Sequence, residues 1–367
     1  MFFNRVFQPV FQPVFRRRAL LNATAIARLL FSDDEPGFFY DFDDWSTLFQ
    51  NTAGTIPVTT PNQGVALALD KSGNDNHAAQ ATTAARPLTA VHPDGGVRNE
   101  IDGSDTLATQ TVTVTAQERT LSFRGTGTVT LSGASTAGPL VGTGADDIVS
   151  LTFTPTAGSL TLTVSGAVND AMLELGAVRT NYQRRVNHLD VTEAGKRSIR
   201  RLYFNGTSHF MECPAQMGVE NELSTFIGYR SDVPANSNGY LFSSAGGQSQ
   251  LSNHGASFLS LSGNAESYTV GGEANDLPRI VGAGRVFSSS GSKTTGDLTF
   301  GFEGNQQAGS AGSVSTADTT RIGARAGGVF FLGFLDQFIM RGALTDTATI
   351  EKTEKYVSTK SPEVPTL

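Results

Sequence analysis

The chain has one cysteine, Cys213, in 367 residues, which excludes an internal disulfide framework and leaves stability to apolar cores and subunit contacts. Charge is scarce as well: charged residues make up 17% of the sequence and the formal net charge is −7. That balance argues against a nucleic-acid binder, and the local cluster Arg16, Arg17 and Arg18 is too small to reverse it. No stretch approaches the roughly 18 consecutive apolar residues that a membrane-spanning helix needs. What is abundant is glycine, with 40 copies, together with Ser and Thr, while hydrophobic residues reach 38%. That mixture suits all-β sandwiches, whose turns use Gly and whose exposed strand positions use Thr and Ser. Few charges and many hydroxyls also suit recognition of something neutral and polar, such as a glycan, and equally suit an inert surface.

The stretch VFQPVFQPVFRRR, Val6 to Arg18, repeats Val-Phe-Gln-Pro and ends in three arginines. Pro9 and Pro13 lack an amide hydrogen and push Gln8 and Gln12 toward extended backbone, so an extended arm is expected. A secretion signal places charge first and an unbroken apolar core second, the reverse of this order. Starting such a signal at Arg16 brings in ALLNATAIARLLF, but Asn22 and Arg28 interrupt it and no small-residue cleavage site follows; that piece could form one short helix. Residues 1–31 are therefore expected to be an extended docking arm. Phe7, Phe11 and Phe15 recur every four residues along it and suit successive apolar pockets of a partner, with Arg16, Arg17 and Arg18 meeting an acidic rim.

Residues 32–64 carry an aromatic cluster, DDEPGFFYDFDDWSTLFQ, that needs something to bury against. Two readings fit it: a strand packed on its own domain, or a docking or collar segment in which Phe39 and Trp45 meet a partner. From Asn51 to Pro93, Pro and Gly punctuate short apolar pieces, which reads as loops with one or two strands. Strict alternation then appears in TVTVT, TLSFR, TVTLS, VSLTFT and SLTLTVS, with Val112, Val114, Leu121, Phe123, Val129, Leu131, Leu151, Phe153, Leu160, Leu162 and Val164 on one face. These strands predict a small sandwich closing with DAMLELGAVRTNYQR. NHLDVTEAGKRSIRR, residues 187–201, reads as a polar linker or covering loop, and the Asn205-Gly206 pair predicts a hairpin between LYF and TSHFM. Further strand-like pieces follow, up to a terminal helix with Thr345 as N-cap.

Three segments resemble landmarks of the concanavalin A-like, or laminin-G-like, lectin sandwich. DKSGNDNHAA, Asp70 to Ala79, resembles the "DxSGNxNHG" opening strand of that family; LYFNGTSHFME, Leu202 to Glu212, resembles its "L.FDGxDDYL" hairpin. FLGFLDQFIMRGALTDTATIEKTEKYV resembles its closing strand and helix, "F.G.IDE..IY..ALS..EI". The first two landmarks normally lie close together, so the resemblance implies an insertion: residues 65–97 and 187–367 would form one larger sandwich, interrupted by residues 98–186. GTGTVTLSG, PTAGSLTLTVSG and NDAMLELGAVRTNYQR in that insert resemble the small carbohydrate-binding-module-like jelly rolls of bacteriophage tail and prophage proteins, which end "AQLE.G…TSYI". The string from Asp44 to Leu88 is similar to the opening of phage structural proteins. Where the lectin hairpin carries Asp-Gly and two acids, this chain has Asn205, Gly206, Thr207, Ser208 and His209, so an inherited calcium site is not expected.

Chemistry-bearing patterns are missing. Related glucanase sandwiches carry an E-x-D-x-x-E strand, whose acids project to one face, and no such strand occurs here. Glu351 and Glu354 read as a solvated helix face paired with Lys352 and Lys355. The five histidines, His77, His92, His188, His209 and His254, are scattered without metal-ligand spacing, and Cys213 reads as a packed thiol. No catalytic residue, metal or cofactor is therefore expected. Polar loops holding Asn236, Asn238, Tyr240, Asn264 and Tyr268 are the candidate glycan contacts, although loops collect such residues in any case.

The sequence thus predicts an all-β protein of two antiparallel β-sandwiches, a small jelly roll set into a larger concanavalin A-like one, with an extended N-terminal arm and a short C-terminal helix. The resemblance implies a non-enzymatic bacteriophage virion protein of the tail fibre, baseplate or receptor-binding type. It would be a homo-oligomer, a trimer by analogy, partnered with other virion proteins through its arm and with a host-surface glycan. A capsid decoration or head fibre protein and a glycan-degrading tailspike are the alternatives.

Overall fold

A computed structural model describes residues 22–213, 222–232, 239–244, 250–254, 258–262, 267–270, 284–292, 297–302, 305–310, 320–325 and 328–361. The docking candidates Phe7, Phe11, Phe15, Arg16, Arg17 and Arg18 lie outside these residues.

The chain is all-β. Its larger sandwich stacks a ten-stranded sheet on a nine-stranded one. The ten-stranded sheet runs in the order Gln183–Asn187, Asp190–Glu193, Leu88–Pro93, Ser198–Asn205, Leu332–Arg341, Glu222–Ser231, Gly284–Ser292, Asp297–Phe302 and Asn305–Ser310, and Gly37–Asp41 joins it beside Leu332–Arg341. The nine-stranded sheet is led by short strands, Leu48–Phe49, Leu67–Ala68, Ala78–Ala79 and Met211–Cys213, and continues through Thr320–Ile322 and Gly239–Ser244 to Ser267–Val270. One core fills the gap between them. Phe38, Tyr40, Leu202, Phe204, Ile227, Phe287, Leu335 and Phe338 from the first sheet meet Leu48, Met211, Leu241, Phe242 and Ile322 from the second.

Residues 110–175 form a separate small sandwich. Gly144–Phe153, Arg119–Gly125 and Asn169–Leu175 make one sheet, and Gln110–Val114, Gly158–Ser165, Thr128–Gly133 and Leu140–Val141 the other. The alternation read from the sequence decides which side chains face the core: Val114, Leu121, Phe123, Val129, Leu131, Leu160 and Leu162 are buried together, while the Thr and Ser between them lie on the other face, where Thr120 and Ser122 are covered by Gly176 and Arg179. The chain leaves the large sheet after Leu88–Pro93 and rejoins it at Gln183–Asn187. Buried amides lash the two crossings together. Asn99 donates to the carbonyls of Ala171 (3.0 Å) and Gln183 (2.9 Å), and the Gln183 side chain accepts from Arg98 N (2.7 Å) and donates to Glu193 (2.9 Å). Arg98–Glu193 and Arg185–Asp102 ion pairs, at 2.9 and 2.6 Å, flank them.

Several sequence expectations change. Ala23–Leu30 is a helix, α1, so the extended arm does not reach residue 31; Asn22 caps it by accepting from Ala25 N at 2.9 Å. Its Ile26 and Leu30, followed by Phe31, pack with Phe39, Phe226, Val286 and Ile339 on the outer face of the ten-stranded sheet. Phe39 is therefore a core residue and not a docking residue. Trp45, 8% exposed, likewise belongs to the chain's own core, under the Arg200 guanidinium 5.0 Å from its ring. Residues 187–201 are not a covering loop, because Asp190–Glu193 and Ser198–Asn205 are strands of the large sheet. The Asn205-Gly206 turn does not close a hairpin: Ser198–Asn205 belongs to one sheet and Met211–Cys213 to the other, so the turn is a corner between layers. The Asn205 side-chain oxygen stabilises that corner by accepting from the amides of Thr207, Ser208 and His209.

The terminal helix, α2, spans Thr347–Ser358 and is capped by Asp346, one residue after the expected Thr345. Glu354 is not on a solvated face. It is buried against the sheet and accepts from Ser288 Oγ at 2.6 Å.

Gly323 sits at φ +81°, where a Cβ would overlap the Phe204 ring. Gly323→Ala is expected to destabilise the large sandwich by roughly 2–4 kcal/mol, from left-handed strain plus overpacking, read as a lower urea midpoint with an unchanged m-value.

Candidate functional site

The first landmark, Asp70 to Ala79, is spent on architecture. Both carboxylate oxygens of Asp70 are used: Oδ1 accepts from Phe39 N (2.7 Å) and Ser72 N (2.8 Å), and Oδ2 from Ser72 Oγ (2.6 Å) and Asn76 N (3.1 Å). Asn74 and Asn76 donate to carbonyls of Glu35 and Gly37, and Tyr40 donates its hydroxyl to the Asn76 carbonyl. The loop thereby ties the aromatic strand Gly37–Asp41 to the sandwich. The Asp70 carboxylate is thereby committed to two backbone amides near it in the loop, a hydroxyl and the amide of Phe39.

The outer face of the ten-stranded sheet carries an unusual polar layer. Regular alternation along Leu332–Arg341 would turn consecutive residues to opposite faces, but the pairing with Glu222–Ser231 skips one residue: Tyr229 faces Leu335 and Gly228 faces Gln337. The bulge at Asp336 sends both Asp336 and Gln337 outward. Asp336 receives two bonds from Arg201, Nε at 2.7 Å and Nη2 at 3.1 Å, and a third from Ser361 Oγ at 2.7 Å. Arg201 and Asp336 are both 0% exposed. Gln337 donates to Asp41 at 3.1 Å, and Tyr356 of α2 donates its hydroxyl to the other Asp41 oxygen at 3.1 Å. Burial, and then the Asp41 carboxylate, push the Tyr356 phenol far above its ordinary pKa. Gly228 makes the fit possible, since a Cβ there would come within 2.8 Å of Ser361 Oγ and 2.9 Å of Val357.

His92 completes this layer. Its Nε2 lies 2.9 Å from the carbonyl oxygen of His188 and its Nδ1 lies 3.3 Å from Arg201 Nη1. A carbonyl accepts only and a guanidinium donates only, so these contacts select the neutral imidazole protonated on Nε2. Burial, reinforced by the Arg201 charge, holds its pKa well below the usual histidine value.

Beside this buried layer the same face opens to solvent. Leu88, Tyr203, Phe334 and Arg230 stand in direct register across four neighbouring strands. Phe334 is nearly buried, stacked among His92 (4.8 Å between centroids), Tyr203 (5.2 Å) and the guanidinium of Arg201 at 4.8 Å. Tyr203 is half-buried and flanked edge-on by two imidazoles, His188 at 5.0 Å and His209 at 6.3 Å. Arg230 pairs with Asp232 at 3.1 Å. Burial raises the Tyr203 phenol, helped by the Asp232 charge; burial lowers His188, helped by Arg185, and lowers His209 against the opposing Tyr203 carbonyl. A surface cluster of perturbed titratable rings marks the Tyr203 face as the candidate site.

Of the glycan candidates named from sequence, Tyr240 and Tyr268 fall within the described strands. Asn236, Asn238 and Asn264 lie outside the described residues. Tyr240 is 5% exposed, and its hydroxyl accepts from Arg325 Nη1 at 3.2 Å. Tyr268 lies on Ser267–Val270, and two strands separate it from the Tyr240 strand. At about 4.8 Å per strand that is a gap of ~14 Å, too wide for one sugar ring. The residues that do converge, His92, His188, Tyr203, His209 and Phe334, were read singly as scattered loop positions or strand members.

No family model matches the chain, and no curated protein matches its sequence. Solved structures match in part. One is of botulinum neurotoxin type C, described as depending for cell entry on two ganglioside molecules: 9% identity, TM-score 0.34, 43% of this chain and 42% of that one. Another is domain 4 of an extracellular arabinanase from Geobacillus stearothermophilus in complex with arabinotriose, at 17% identity and TM-score 0.33, covering 49% of this chain and 82% of that one. A third is a mutant of Trypanosoma rangeli sialidase, at 11% identity and TM-score 0.35, covering 45% and 28%. The match thus spans under half of the toxin and sialidase chains. β-Sandwiches of many functions share this much geometry.

Asp336→Asn is expected to cost about 3–5 kcal/mol, because it leaves Arg201 buried without its counter-charge. Stability should also fall with acid. A histidine with a depressed folded pKa binds fewer protons folded than unfolded, so its contribution is complete above its unfolded pKa near 6.5 and is lost as pH drops toward the folded value. Urea midpoints measured between pH 7 and pH 5 should decline, with His92 contributing at most about 1.4 kcal/mol per pH unit. His92→Gln, which retains an amide donor for the His188 carbonyl, should remove one proton's worth of that slope; an unchanged slope would exclude His92 as the group responsible.

Proposed function

We propose that the chain is a non-enzymatic bacteriophage virion protein of the tail fibre, baseplate or receptor-binding type. It docks through its N-terminal end, assembles as a homo-oligomer and displays a lectin-like sandwich for attachment to host-surface glycan. One observation carries the reading. The two landmark segments, separated in the chain by the whole small sandwich, are strand neighbours in the fold: Ala78–Ala79 pairs with Met211–Cys213, Ala79 opposite Glu212. Such adjacency is what a lectin-like sandwich with an inserted jelly roll requires, and the insert and the string from Asp44 to Leu88 are the parts that resemble phage structural proteins.

The state of the acidic residues supports a binding role over a hydrolytic one. Hydrolysis of a glycosidic bond needs a carboxyl pair facing a groove. Here Asp41 is bonded by Gln337 and Tyr356, Asp336 by Arg201, Glu193 by Arg98 and Gln183, Glu174 by Thr180 and Glu354 by Ser288. Carboxylates committed in this way hold strands and helices together.

Particles carrying a copy that lacks residues 1–21 test the docking half of the proposal. The truncated protein should keep its melting temperature and be missing from virions; normal incorporation would defeat the arm's role. Removing residues 1–31 should additionally lower stability, since Ile26, Leu30 and Phe31 leave the core with α1. Purified protein is expected to release no reducing ends from host polysaccharide, and release would identify a depolymerase instead.

A further inference from the structure

We propose that the Tyr203 face is a subsite for a neutral pyranose ring. The inference rests on the glycan-attachment reading above and assigns it a place and a ligand class. Carbohydrate rings present one face of C–H groups and a rim of hydroxyls, so a protein subsite for them combines an aromatic surface with polar groups that still have hydrogen-bonding capacity. The Tyr203 face has both. The half-buried Tyr203 ring supplies the aromatic surface, backed by the nearly buried Phe334 at 5.2 Å between ring centroids, with the exposed imidazole of His188 and the buried one of His209 edge-on to either side. Neither the Tyr203 hydroxyl nor a His188 ring nitrogen has a hydrogen-bond partner among the described residues, and His188 is exposed. Both groups can donate and accept, which matches the dual character of a sugar hydroxyl.

Charge selects the ligand class. The cations nearest the face are already neutralised, Arg230 by Asp232 at 3.1 Å and Arg185 by Asp102 at 2.6 Å, and the buried His209 imidazole is held toward its neutral form by desolvation. Among the described residues a carboxylated or phosphorylated sugar would find no uncompensated cation there, whereas a neutral ring needs none. The floor is also pre-organised. Phe334 is clamped between His92 and the buried Arg201, and the His188 backbone is fixed by His92 Nε2, so little ordering remains to be done on binding. A single subsite of this size is expected to be weak, with a dissociation constant of about 1 mM for one sugar ring, and the many copies on a particle would raise the apparent affinity through avidity.

The test uses the full chain on an array printed with neutral and acidic bacterial polysaccharides at pH 7.5. Binding to one or more neutral polysaccharides is expected, with a fall of at least tenfold in both Tyr203→Ala and His188→Ala and a smaller fall in Tyr203→Phe, which keeps the ring. His188 is exposed in a turn, so its variant should melt within a few degrees of the parent and report on binding alone. Neutral binding that survives both alanine changes overturns the subsite and leaves the attachment reading standing. Binding confined to acidic polysaccharides overturns the ligand class in the same way. Binding to none of them overturns both.

Discussion

The large sandwich hangs on a buried charge pair and the bulge that makes it possible. Placing Arg201 and Asp336 in a dry interior is costly, and the cost is met only because the contact is bidentate and Ser361 and His92 take up remaining bonding capacity. One extra residue in the strand Leu332–Arg341 turns Asp336 and its neighbour Gln337 to the same side. Asp336 then grips Ser198–Asn205 and Ser361, just past α2, while Gln337 grips Asp41 and, with it, Tyr356 of α2. Through His92 the pair also reaches the turn at His188, where the chain returns from the small sandwich. First strand, returning strand and last helix are thus referred to one position.

That layer also supplies the back wall of the Tyr203 face. Phe334 precedes the bulge by two residues and lies under the Arg201 guanidinium, so the aromatic floor and the ion pair cannot move independently. Specific recognition needs side chains whose rotamers are locked by what stands behind them. In this fold the locking is done by groups too deep to touch a ligand.

Much of the fold was legible in the sequence because period-2 alternation specifies which side chains are buried. TVTVT, TVTLS and SLTLTVS pack as read, and the lectin landmarks placed the strands on either side of the small sandwich. Alternation does not say which sheet a strand joins, and the errors follow from that gap. Asn205-Gly206 carries a hairpin signature yet turns a corner between layers. NHLDVTEAGKRSIRR reads as a linker or covering loop because the layer its arginines enter is built from residues far away in the chain. Glu354 looked solvated on helical spacing alone, since Ser288 beneath it is invisible to a helical wheel. The same holds for the candidate site: His92, Tyr203 and Phe334 come together only through strand register, and no short motif encodes it. A clue existed in the parity of Leu88–Pro93 and Ser198–Asn205, which turns His92 and Tyr203 to one face once the strands are known to be neighbours.

The pairing of Gly37–Asp41 with Leu332–Arg341 has a mechanical consequence. The first strand of the chain after α1 is hydrogen-bonded along its length to the strand that leads into α2, with Phe38 opposite Met340 and Tyr40 opposite Phe338. A pull on a chain held by its N-terminal end is therefore delivered directly to the central strand of the large sheet, across a ladder loaded along its length. The small sandwich, tethered at both of its crossings through Asn99 and Gln183, lies outside that load path, so a pull of this kind reaches the large sheet without passing through it.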